Sequence, residues 1–414
     1  MYPRSRFRRS RAALGLLGVI SALSLACAHE AFCATQTILW NFGQGPGSSY
    51  PLAAVIMDKS GNLYGTTSLP VGGFSVVYEL TPPSKGGSWT YSTLWQFNEA
   101  DGSQSDNKLI VDAGGNLYGT TTGGACCYGD VFELSPPATN GGTWTETVLW
   151  TFDHTDGGRP NGLVMDGNGN LYGSTRGGGA FSSGVAFELS PPTSPGGAWA
   201  ESTLWNFGSG SDGVNPLDDL IIDSKGNLYG TTNAGGSKGK GTVFELTPPA
   251  SPDGDWTESV LWSFGERAHD GLNPVNRGGL VMDAGGNLYG TTGGGGTSGS
   301  GAAFELSPPS GTGGSWSESV LYSFKAKADP QGGLVSFGGN FYGAYGGDLL
   351  VYELSRTAKG TWKESIAYKN TGKKAPNSPM SNLIVDDSGD LYGTTNLGGI
   401  PGPGTVFELS DAPK

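Results

Sequence analysis

Helical periodicity is what this sequence most plainly lacks. Beyond the first 30 of its 414 residues, no window sustains the three-and-four spacing of an amphipathic helix, which argues against a helical fold. Cysteine is scarce, four in the chain, and none has zinc-like spacing. Histidine is scarcer still at three, too few and too far apart for a metal cluster. Basic charge is in deficit: 24 Lys and Arg against 37 Asp and Glu leave a net charge of −13. With no basic stripe interleaved with aromatics, nucleic acid is excluded as a partner. No Gly-x-Ser-x-Gly nucleophile elbow is credible. Glycine runs such as Gly293–Gly296 precede a strand and not a helix, so they are not phosphate loops. No cofactor and no metal are expected.

Long apolar runs are also missing, apart from Ala12–Leu25. Arg4, Arg6, Arg8, Arg9 and Arg11 precede that run and Ala26-Cys27-Ala28 follows it, the order of a secretory signal peptide. It is too short for an ordinary membrane span. Cleavage after Ala28 is expected, and loss of the five arginines takes the charge from −13 to −18. Cys33, Cys126 and Cys127 then remain. The adjacent pair is either a vicinal disulfide or two small loop residues.

What the chain has in abundance is glycine, 73 residues, with 11 Trp, 16 Tyr and 17 Phe. The glycines punctuate short β-branched and aromatic runs, as turns between strands do. An Asn-Leu-Tyr-Gly core or a close variant recurs at Asn62, Asn116, Asn170, Asn227, Asn287, Asn340 and Asp390. A fixed period overrules the length prior of two or three domains.

Residues 219–264 serve as the type unit. Asp219–Asp223 is a first strand, 224–226 a tight turn and Asn227–Thr232 a second strand. Asn233–Lys240 is a glycine-rich loop, and Gly241–Thr247 a third strand. Pro248-Pro249 breaks the ladder. Trp256–Phe264 is a fourth strand, whose alternation puts Trp256, Glu258, Val260, Trp262 and Phe264 on one face. Four such strands, seven times over, predict an all-β, seven-bladed β-propeller. The phase is permuted: the repeat region opens on an isolated fourth strand, Thr35–Phe42, and closes on a third, Gly404–Ser410. The N-terminal strand is therefore expected to complete the last blade, removing two open edges. The division expected is a signal peptide at 1–28, a short segment at 29–34 and the propeller at 35–414.

Trp95, Trp150, Trp205 and Trp262, with Tyr322 and Tyr368, recur in the fourth strands and read as filler between blades. The Asp-x-x-Gly-Asn turns resemble calcium loops superficially, but lack the alternating acids and terminal glutamate. A turn-capping aspartate is the reading adopted. Glu79, Glu133, Glu188, Glu245, Glu305, Glu353 and Glu408 repeat in every third strand. An acid that catalysis needs once is not built seven times, so a repeated hydrogen bond or edge charge is expected.

One face of the ring collects the glycine-rich loops and the inter-blade connections. It carries the candidate ligand-binding residues: Asp156, Asp212 and Asp270 of the Asp-Gly connections, His154 and His269 beside them, Arg176, Asn233, and the threonine hydroxyls ending the second strands. The sixth repeat is irregular: Ser336 stands for the turn aspartate, Ala344-Tyr345 replaces Thr-Thr, and Gly346-Gly347 shortens the next loop. A notch lined by Tyr345 is expected there, on the loop face.

The blocks Leu-Val-Met-Asp-x-x-Gly-Asn-Leu-Tyr-Gly-Thr-Thr, Gly-Thr-Val-Phe-Glu-Leu and Trp-x-Glu-Ser-Val-Leu-Trp-x-Phe resemble the GloVer tandem repeat of exported bacterial choice-of-anchor proteins, over essentially all of 35–414. The resemblance implies export. It implies no activity and no catalytic residue. The chain ends at Lys414 without a sorting motif or apolar tail, so secretion without an anchor is the expectation: free, periplasmic or at the cell surface of a bacterium. The strand layout also resembles NHL-type propellers, which implies fold alone. A monomeric binding module for a glycan or protein is the leading expectation, its weak sites adding by multivalency. An extracellular hydrolase, lyase or lactonase working at the axial mouth is the alternative.

Overall fold

The computed structural model describes residues 34–410 apart from 44–48, 69–74, 85, 99–101, 103, 124–127, 140, 195, 252–253, 275–278, 312, 326–327, 329, 331, 348, 371–377, 380 and 400–401. The signal peptide, Cys33, Cys126 and Cys127 lie outside the described residues. Every described element is a strand, and the strands form seven antiparallel sheets. The result is a seven-bladed β-propeller.

The repeat's chemistry accounts for each blade. In the fourth blade Leu228 to Thr232 are all buried, and Gly230 pairs with Phe244 across the sheet. A Cβ on Gly230 would sit 2.6 Å from the Phe244 ring, so the glycine is where the third-strand aromatic lies down. Burial of such a ring contributes about 1.5–3 kcal/mol. At the turn, Asp223 Oδ1 accepts the N–H groups of Lys225 (2.8 Å) and Asn227 (2.9 Å). Its Oδ2 accepts from Asn227 Nδ2 (2.9 Å) and the Tyr229 hydroxyl (3.3 Å). The aspartates cap turns, as expected. The repeated glutamate also has a structural partner, since the Tyr229 hydroxyl lies 2.9 Å from Glu245 Oε1.

The core is a set of layers between blades. Tyr229, Val243 and Phe264 of the fourth blade pack on Leu280, Leu288 and Phe304 of the fifth. The same layer joins last to first: Leu39, Phe42, Tyr392 and Val406 pack on Val55, Leu63 and Tyr78. Thr35–Asn41 pairs with Thr405–Ser410, from Thr35↔Ser410 to Asn41↔Thr405. The expected closure is present.

Three details differ from the sequence reading. A β-bulge lies between Val260 and Trp262, so the fourth strand does not keep one face. Trp256 packs back on Tyr172 of the third blade, and Trp262 packs forward into the layer with the fifth. Secondly, the Asp-Gly connections are not all loops. Gly213–Pro216 and Gly271–Pro274 pair with extended second strands, Gly213↔Gly235 and Gly271↔Gly295. Gly213 packs so closely on Thr232 that no larger residue fits. Asn233 therefore lies in a strand. Thirdly, Phe337 and not Ser336 occupies the turn-aspartate position, because Phe337 pairs with Asn340 around a two-residue Gly338-Gly339 turn.

Candidate functional site

The first strands lead to the axis, where residues of separated blades meet. Lys108 Nζ of the second blade lies 3.8 Å from Asp219 Oδ2 of the fourth. Asp219 Oδ1 accepts the Gly162 N–H of the third blade (3.0 Å). Ala53, Ala54, Asp106, Asn107, Ser381 and Asn382 also line an axial cavity of about 20 Å³, room for one water molecule. Threonine hydroxyls stitch the ring nearby: Thr120 donates to the Asn161 carbonyl (3.1 Å), Thr291 to Gly332 (3.1 Å) and Thr394 to Ala53 (2.9 Å). The second hydroxyl of the pair is also used, Thr232 Oγ1 donating to the Ala234 carbonyl at 2.9 Å. Those hydroxyls are buried, which corrects their expected place on a ligand face.

The sequence-nominated residues do not form one cluster. Asp156 is half-buried and accepts the Trp150 indole N–H (2.9 Å), and Asp212 accepts that of Trp205 (3.0 Å). Arg176 Nε donates to Asn161 Oδ1 (3.0 Å) toward the axis. Asn233 clasps two blades, its Nδ2 donating to the Pro274 carbonyl (3.1 Å) and its carbonyl accepting from Asn273 Nδ2 (2.9 Å). His154 is exposed and stacks on Tyr128, with ring centroids 5.1 Å apart. It belongs to the junction between blades two and three, whereas His269 belongs to that between four and five. Tyr345 is a correction. It is 9% exposed, packs on Phe324 and Tyr352, and donates its hydroxyl to Glu364. Its position is that of a threonine buried in the other blades, so the larger ring went into the core.

An open cleft of about 570 Å³ lies on the loop face at the fourth and fifth blades. That volume falls in the range of small-ligand sites, roughly 300–1,000 Å³. Gly294, Gly295, Gly296 and Gly299 form one side; Lys238, Lys240, Arg267, His269 and Asp270 supply the polar groups. Asp270 shapes it from below. Its Oδ2 accepts the Gly265 and Glu266 N–H groups (2.7 and 3.2 Å), and its carbonyl accepts the Gly296 N–H (2.9 Å). Arg267 lies over Trp262, 4.5 Å from the ring centroid, and its Nη1 donates to the Glu318 carbonyl (3.2 Å). Lys238, Lys240 and His269 are exposed.

Lys238, Lys240 and Arg267 were missed in the sequence reading. The available signal was a connection, Phe264–Asp270, one residue longer than Phe207–Asp212, beside two lysines in an otherwise acidic chain. Carboxyl pairs recur at these junctions. Glu258 is pushed up to about 7 by burial and then by the neighbouring Asp212 carboxylate, and burial also raises Asp212. Glu318 is pushed up to about 7 by burial and by Asp270, against the pull of Arg267. Among the described residues, no group of three or more His, Cys, Asp or Glu side chains is placed to hold a metal ion. Nor does any described helix have the length and hydropathy to cross a membrane.

The Gloeobacter/Verrucomicrobia repeat matches residues 29–198 and 147–349, more than half of the chain, and the protein belongs to that family. No curated protein matches it. Among solved structures it is similar to a presumptive 6-phosphogluconolactonase from Bacteroides uniformis, with 13% identity, 80% of this chain and 88% of the other covered, and a TM-score of 0.48. It is also similar to the PQQ-bound aldose sugar dehydrogenase of Streptomyces coelicolor, with 12% identity, coverage of 92% and 99%, and a TM-score of 0.40. At such identities and scores these likenesses carry no functional argument.

Proposed function

We propose that this protein is an exported, non-enzymatic binding propeller whose loop-face cleft takes an anionic ligand, a carboxylate-bearing glycan or an acidic protein segment. The observation that carries the reading is the gathering of Lys238, Lys240, Arg267 and His269 around one glycine-lined cleft, on a chain whose net charge is −13. Lys238, Lys240 and Arg267 make a local cationic patch, which in an acidic field selects anions and steers their approach. Export is supported by the basic, apolar, small-residue order of the first 28 residues. The axial enzyme gains no support, since the described axial cavity has room for one water and Lys108 and Asp219 are paired across it. Asp270 serves this reading indirectly, by fixing the connection that carries Arg267 and His269. A glycan microarray probed with the full chain tests it: selective retention on uronate-bearing or sulfated glycans is the expected outcome. Equal retention on neutral glycans, or turnover of any of them, would count against it.

A further inference from the structure

Three of the sixth blade's departures from the repeat meet at the turn face, opposite the loop-face cleft. The first hairpin has a two-residue turn, Gly338-Gly339, where the fifth blade spans Asp283 to Asn287. The Pro-Pro pair that follows the third strand in the first five blades is replaced by Arg356-Thr357. The leucine of Leu-Tyr-Gly is replaced by Phe341, whose ring lies 4.6 Å from Tyr289 and 5.4 Å from Trp362. Between the fifth and sixth blades these changes border an open cleft of about 560 Å³, again within the usual range for a ligand site.

Its two walls differ in chemistry. The fifth blade presents one acceptor to the cleft, the Glu305 carboxylate, beside the turn aspartate Asp283, whose oxygens are taken up within the turn. Asp283 is held rigidly by the N–H of Gly285 (2.8 Å), the Asn287 amide (2.8 Å) and the Tyr289 hydroxyl (3.0 Å). The sixth blade presents a donor, the exposed Arg356 guanidinium, which lies over Trp362 with 5.3 Å to the ring centroid. The half-buried Trp362, backed by the buried Phe341, supplies an apolar surface between them. The Asp, Tyr and Glu wall occurs in other blades, but the shortened turn and the arginine occur here alone in the repeat.

We infer that this cleft is a second binding site, for a segment of neutral oligosaccharide. The Glu305 carboxylate opposite the planar Arg356 guanidinium matches sugar hydroxyls, each of which both donates and accepts, and the Trp362 ring offers apolar surface to sugar C–H groups. Two carboxylates disfavour a polyanion here, and the guanidinium disfavours a cation. An extended peptide would add to an open strand edge, whereas the groups lining this cleft are side chains and a tight turn. The inference does not depend on the loop-face reading, because it uses a different cleft and the opposite charge logic.

The test is calorimetric titration of the full chain with cellohexaose, maltohexaose and chitohexaose in turn. Saturable binding of at least one is expected. Arg356→Ala and Glu305→Gln should each weaken it by roughly tenfold or more, from the loss of a charged hydrogen bond. Lys240→Ala, in the other cleft, should leave it unchanged. Far-ultraviolet circular dichroism and Tm establish that the variants fold; should Arg356→Ala fail to, the isosteric Glu305→Gln decides. Absence of saturable binding by all three sugars, binding that neither variant weakens, or preferential binding of an acidic hexapeptide lost in the same variants would each overturn the assignment.

Discussion

Trp40 lies flat on Tyr91, ring centroids 4.9 Å apart and planes 13° apart, so the first strand of the chain packs on the last strand of the first blade. Trp40 also pairs with Val406 in the third strand of the seventh blade. One side chain near the N-terminus thus joins the two ends of the ring. Trp40→Ala should cost about 3 kcal/mol, the lower end for loss of a packed tryptophan. Thermal unfolding checks it. An unchanged Tm would mean that the closing strand contributes nothing.

The turn aspartates are structural caps, and each should behave alike. Asp223→Ala removes the acceptor of two backbone N–H groups and should cost about 1–2 kcal/mol. Calcium or a chelator should leave Tm unchanged in the parent chain. A calcium-dependent rise in Tm would show that the turns are metal loops after all.

The carboxyl pairs predict the pH dependence. Glu201, Glu258 and Glu318 are each pushed up to about 7 by burial first, aided by Asp156, Asp212 and Asp270 respectively. A raised folded-state value favours the protonated form. The stabilisation is therefore complete below the ordinary glutamate range, near 4.5, and is lost as pH rises through 7. Tm should fall between pH 5 and pH 8. The triple variant Glu201→Gln, Glu258→Gln, Glu318→Gln should flatten that slope and raise Tm at pH 8. A slope unaltered by the triple change would place the titration elsewhere.

Much of the fold was legible because the repeat is dictated by local chemistry. Asp, Gly and Asn set the turns, and glycine opposite an aromatic sets the second and third strands. The permuted strand count also revealed how Thr35–Asn41 closes the ring. The bulge at Leu261 was not legible, since one extra residue in a strand leaves the apolar spacing readable while reversing its faces. The turn in the sixth blade was misregistered for the same reason: a one-residue deletion moved Phe337 to the aspartate's place. The site was less legible. Asp212 and Asn233 looked like free polar loop groups, yet their hydrogen bonds hold the junctions together. Lys238 and Lys240 sit in a glycine run that, read alone, is only a loop.

The loop-face reading rests on charge, and calorimetric titration with hexagalacturonate at low ionic strength isolates it. The expected result is saturable binding by the parent chain that weakens as salt is added. Replacing Lys238 and Lys240 together with alanine should weaken it roughly tenfold or more, with Tm unchanged because both side chains are exposed. Binding of the same strength in the double variant, or no saturable binding in the parent chain, would contradict an anion site at this cleft.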